Sequence, residues 1–401
     1  MKKINSIIFL CIIFYLIIGF ISVNAQEKWK SYTKKNGLVS NKIYVSYVNN
    51  NGDIWLGTKS GLNIFDGNNW VSYKKVKNSL TGTDKLFGAI FFIWEDNLKN
   101  IWIGSNGGLF KFDGKNWTNY MDKNWRDYIF VKKILEDMNG NIWVCTEYYD
   151  YNVGGIFPKI RGGISKFNGK EWISYSEIVG GLHLQKLSES NFYFSSLIED
   201  MHGNIWVGTV DKAYRYNGRD WDSFKEGDIA DNYVYFIKED SRGNIWVGTK
   251  KGLSVYFDEQ WNTYTKDYGL GGNNVYYFFE DKQNNIWAFT SNYIKFTGLG
   301  KFDGEQWTNY TENDGLTSGY IKRIGDFGQG DLWVSSKNGV SKFDGESWTT
   351  FTTKDGLGGS NFGQFMQDSK HNIWFTSDNG VTRFDSINWT TYYKTKEPDD
   401  N

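Results

Sequence analysis

Proline is almost missing from this chain, at two residues in 401, and histidine and cysteine are nearly as scarce, at three and two. With 45 glycines beside them, so few prolines fit many short strands joined by tight turns. The histidines do not cluster: His202 ("MHGN") occupies the place where Arg242 and Gln283 stand in sister segments, and His371 ("KHN") lies in the corresponding turn of its own segment. No HExxH, no Cys–His cluster and no GxSxG is present, so no catalytic motif, metal site or cofactor is expected. A surplus of one charge is lacking too, since 45 basic side chains face 46 acidic ones. That balance argues against nucleic acid as a partner and against a polybasic membrane patch.

Long apolar runs are absent except at the start. "MKK", then "SIIFLCIIFYLIIGFISV", then "VNA" before Gln26 has the layout of a cleavable secretory signal over residues 1–25. An uncleaved anchor is the rival reading of the same run. Cys11 lies inside it, so cleavage leaves Cys145 alone and no intramolecular disulfide can form. Export without disulfides suits a periplasmic, cell-surface or secreted protein with a large core. The aromatic content of 18% can build that core.

What the chain has in abundance is one sentence repeated. "GNIWVGT" occurs at 203 and 243, with variants such as "GDIWLGT" at 52, "KNIWIGS" at 99 and "HNIWFTS" at 371. Eight tryptophans mark the copies: Trp55, Trp102, Trp143, Trp206, Trp246, Trp287, Trp333 and Trp374, spaced by 47, 41, 63, 40, 41, 46 and 41 residues. Each is followed by a second tryptophan, in four units after an Asp-Gly turn as in "FDGKNW". Asp-Gly supplies the positive φ of a tight hairpin. Each unit therefore reads as four short antiparallel strands, the length and make-up of a propeller blade. The fold expected is all-β, a β-propeller over residues 26–395 with a polar tail at 396–401, of eight blades or alternatively seven. Trp29 in "WKSYT" adds a ninth copy of the last strand and leaves ring closure open. The repeated tryptophan is structural, because identical contacts between neighbouring blades demand identical residues.

"GNIWVGTKKGLSVY", "FDGKNWTNY" and "YTKKNGLVSNKIYVSY" resemble two-component regulator propeller repeats over essentially all of 27–395. The resemblance implies an extracytoplasmic sensor propeller of hybrid two-component systems, especially in Bacteroidetes, many of which sense oligosaccharides. Family members continue into an immunoglobulin-like domain, a membrane helix and a histidine kinase, whereas this sequence stops at "YYKTKEPDDN". A stand-alone member would not itself transfer phosphate and would need a separate membrane sensor protein.

Variable loops on a rigid scaffold are where binding sits. In this repeat the links after the second and fourth strands vary, and they share one face. "TEYYDYNVGGIFPKIRGG" inserts Tyr148, Tyr149, Tyr151 and Arg161 there, and "YMDKNWRDYIF" adds Trp125 and Arg126. Aromatic and guanidinium groups together can stack on a sugar ring or anchor a protein partner. Asn41, Asn232, Asn273 and Ser360, just before first strands, would ring the mouth of the central channel or else cap turns. The recurring Glu-Asp pairs ("ED" in five units) fall at one repeat position, so the Asp is assigned to hairpin turns and not to catalysis. The function expected is ligand binding by a monomeric, non-enzymatic propeller, with oligosaccharide as ligand. A protein-interaction scaffold is the alternative, followed by a propeller lyase or glycosidase.

Overall fold

The computed structural model describes residues 32–120, 129–150, 159–175, 194–291, 296–317, 321–327, 331–368 and 370–393. It contains eight four-stranded antiparallel sheets, each built from strands consecutive in the chain. Blade 5 is typical, with strands Val234–Glu239, Ile245–Thr249, Leu253–Phe257 and Gln260–Tyr264. Blade 8 is complete with its own fourth strand, Trp389–Tyr393, so eight blades hold, and among the described residues no strand is exchanged. A small hairpin, Lys75–Lys77 with Asp84–Leu86, fills the link between blades 1 and 2.

The repeated motif forms the second strand of every blade, and in blades 2 to 7 it is buried along its length or nearly so. Its tryptophan faces the next blade. Trp206 is 1% exposed, stacks on Phe224 of its own blade at 5.6 Å, and meets Tyr256 and Trp261 of blade 5 at 5.7 and 6.2 Å. The flanking Ile and Val face the preceding blade, so one strand serves two interfaces. Seven apolar clusters result, one between each pair of consecutive blades.

The glycine of the motif makes room, though not for tryptophan. A Cβ at Gly57 would lie 2.5 Å from Val45 of its own inner strand and 2.6 Å from Ile90 of the next blade. The space is needed where two inner strands converge toward the axis.

Each "ED" pair divides its labour between two blades. Asp200 accepts the Trp206 indole N–H at 2.7 Å, both Asn204 donors, and the His202 amide. The same latch recurs at Asp96, Asp137, Asp240, Asp281 and Asp368. The glutamate points the other way and accepts a backbone N–H from the preceding blade's turn: Glu199 from Met138 at 2.7 Å, Glu239 from Met201 at 2.9 Å. Blade 1 departs at both places. Asn49 stands for the Asp, leaving the Trp55 indole N–H without an acceptor, and Val48 stands for the Glu and is 59% exposed.

Among the described residues no apolar cluster joins blade 8 to blade 1. Trp374 is partly exposed, and Ile54 and Leu56 of blade 1 are less covered than their counterparts in most other blades. Tyr32 packs on Phe65 and Trp70 at 5.9 and 5.3 Å, the contact that a preceding blade's fourth strand makes elsewhere. The surplus "WKSYT" thus reaches blade 1 through its tyrosine. Trp29 lies outside the described residues.

Candidate functional site at the channel mouth

The innermost strand of a propeller blade has one edge free, facing the axis. In seven blades that strand carries a β-bulge at one repeat position, eleven residues before the motif tryptophan. The residues at which the register skips are Tyr44, Phe91, Lys132, Ser195, Tyr235, Tyr276 and Lys322. A bulge re-aims a side chain and is frequent beside functional sites. Here all seven lie near the start of the strand, on the variable-loop face. One repeat position near the channel mouth thus carries residues of differing chemistry within an otherwise uniform repeat.

Tyr44 and Phe91 stack across blades 1 and 2, with centroids 5.1 Å apart, and remain 39% and 44% exposed. Lys42 lies over the Tyr44 ring at 5.4 Å. Tyr235 and Tyr276 are half-buried. Lys132 pairs at 3.0 Å with Glu147, which is buried. Lys322 donates to Asn361 Oδ1 and the neighbouring Arg323 to Gln364 Oε1, both at 2.6 Å. Ser195 turns its hydroxyl toward Gly208, so it does not serve the mouth.

Of the residues singled out from sequence, Tyr148 and Arg161 pair across an extended hairpin of blade 3, Ile142–Asp150 with Lys159–Phe167, and Tyr149 lies one step further along it. This hairpin outreaches its counterparts on the variable-loop face. Tyr151, Trp125 and Arg126 lie outside the described residues. Asn41 and Asn273 cap the links: their Oδ1 atoms accept Lys34 N–H and Lys266 N–H, each at 2.7 Å. Asn232 does the same for Glu226 N–H at 2.6 Å, and Ser360 is exposed. The bulged residues were missed in the sequence.

The opposite face carries a cavity of about 650 Å³ between blades 4 and 5. Arg215 lines it, donating twice to Asp222 (3.0 and 2.7 Å) and once to Tyr256 (3.1 Å) over the Trp206 ring. The hairpin beside it reads Phe257-Asp258-Glu259 where other blades have Asp or Asn at its first place, and usually Gly next. Asp258 and Glu259 adopt φ of 48° and 61°, and Phe257 is 60% exposed. Non-glycine residues in the left-handed region store strain.

No carboxylate pair is left over for acid–base work among the latch residues, since each Asp holds its Trp. Cys145 is buried between blades 3 and 4, and burial pushes its thiol pKa up, which keeps it inert.

Residues 186–211, 228–251 and 269–292 match the family described as two component regulator propeller. The segments cover the inner strand and motif strand of blades 4, 5 and 6. Among curated proteins none matches the sequence. Among solved structures, the chain is similar to the extracellular domain assigned to a one-component system of B. thetaiotaomicron, at 20% identity and a TM-score of 0.41, covering 93% of this chain and 58% of that one. It is similar to PorZ, a surface component of the type-IX secretion system of Porphyromonas gingivalis, at 15% identity and a TM-score of 0.48, with coverage of 91% and 60%. Virginiamycin B lyase from Staphylococcus aureus is similar at 12% identity and a TM-score of 0.41, with coverage of 71% and 90%. The chain thus spans less than two thirds of the first two. Blades 4, 5 and 6 are two-component regulator propeller repeats.

Proposed function

We propose that this chain is an exported, non-enzymatic ligand-binding propeller of sensor type, which takes an oligosaccharide at the channel mouth of its variable-loop face. The observation that carries this reading is the set of inner-strand bulges. Seven blades carry the same backbone irregularity at one repeat position, and the residues there differ in chemistry. Their chemistry, aromatic faces beside phenol hydroxyls and ammonium groups, suits a ring bearing hydroxyls. Residues 1–25 act in this reading as the export signal, and a separate membrane protein receives the signal from the monomeric propeller.

The test is a thermal-shift panel of oligosaccharides and polysaccharide digests on the purified chain. A saccharide at ~100 times its dissociation constant adds about 2.7 kcal/mol to stability, which moves the melting temperature measurably. A panel without a single shift would overturn the saccharide reading.

A further inference from the structure

We infer that the ligand of the channel mouth carries a negative charge on a flat ring, as an acidic sugar or an aromatic acid does. This rests on the mouth being the binding site. Several cations in this protein are held by carboxylates: Lys132 by Glu147, Arg215 by Asp222, and Lys342 by Asp331 at 2.7 Å. Lys322 and Arg323 are not. Both are exposed on the inner strand of blade 7, and among the described residues neither has a carboxylate within ion-pair distance.

Their partners are the neutral amides of Asn361 and Gln364, from the entry to blade 8. Each amide orients its cation without neutralising it. The nearest acid in this network is Asp378, which accepts the Asn361 backbone N–H at 3.4 Å. Lys42 lies over the Tyr44 ring on blade 1 and places a further positive charge beside that aromatic pair. Guanidinium and ammonium groups held in this way are donors for a carboxylate or sulfate. The stacked and exposed Tyr44 and Phe91 supply the flat apolar counterpart. A neutral sugar would use the rings and leave the oriented cations unmatched.

The experiment is calorimetric titration with oligogalacturonate, with neutral galacto-oligosaccharide of equal length, and with 4-hydroxyphenylacetate, at low and at physiological salt. The proteins are the intact chain, the Lys322→Gln/Arg323→Gln double variant and the Tyr44→Ala/Phe91→Ala double variant, each checked for folding by circular dichroism. We expect an anionic probe to bind at least tenfold tighter than the neutral one, to weaken with salt, and to lose at least tenfold in the glutamine variant. Whether oligogalacturonate or the aromatic acid binds identifies the source of the charge. Equal binding of the neutral probe, unchanged by the glutamine substitutions but lost in the alanine variant, would overturn the inference and leave the mouth intact as a site. Failure of both anionic probes would also overturn it.

Discussion

Truncating Trp206 to alanine should destabilise the protein far more than the same change at Trp374, although both sit at the same letter of the repeat. A buried tryptophan removes about 150–250 Å² from water, worth about 4–6 kcal/mol gross at ~25 cal/mol/Å². Trp206 is 1% exposed between two blades, so its loss should cost about 3–5 kcal/mol. Trp374 is partly exposed, stacked on Tyr392 at 5.7 Å, and should cost about half as much. Each change also deletes one indole hydrogen bond to an aspartate, at 2.7 and 2.8 Å, buried at Trp206 and part-buried at Trp374, so that loss adds to the difference. Urea denaturation followed by circular dichroism measures both costs. Equal losses would refute the claim that burial between blades, and not the motif itself, sets the energy.

Four further outcomes follow from particular contacts. Asp240→Ala strands the Trp246 indole and Asn244 donors and should cost about 2–4 kcal/mol in the same assay. Gly57→Ala, whose Cβ would meet Val45 and Ile90, should lower stability by about 1–3 kcal/mol through overpacking. Replacing Asp258-Glu259 by Asn-Gly should stabilise blade 5 by about 1 kcal/mol, because those residues prefer the left-handed turn. Burial, with Asp200 and Asp240 nearby, raises the Glu239 pKa above its ordinary 4.5, so the folded state holds that proton more tightly than the unfolded one. Ionising Glu239 therefore costs stability, a cost absent below about pH 4.5 and complete above the raised pKa. Glu239→Gln should gain on the parent protein as pH rises from 4 to 7; denaturation midpoints that run parallel over that range would contradict this.

The blades were legible because each needs the same tryptophan, a tight hairpin before its fourth strand and the same apolar neighbours. The eight-blade count followed from the tryptophan spacing, and the Asp of each "ED" pair from its fixed place in a turn. The glutamate's reach into the preceding blade was not legible, since the partner is a backbone amide that any sequence supplies. Nor were the bulges. A bulge shifts strand register by one residue, and that shift appears only when the opposite strand is known, as with Ile90 and Phe92 flanking Phe91. Asn41 and Asn273 looked like channel-mouth groups from their position before first strands, yet their oxygens are engaged by the links they follow.

The account turns on which face binds, and one comparison decides it. The saccharide that shifts the melting temperature of the parent chain should be titrated into Tyr44→Ala/Phe91→Ala, at the channel mouth, and into Arg242→Ala/Phe257→Ala, beside the cavity of the opposite face. The shift should vanish in the first variant and persist in the second. A shift that survives at the mouth and disappears at the cavity would contradict the account.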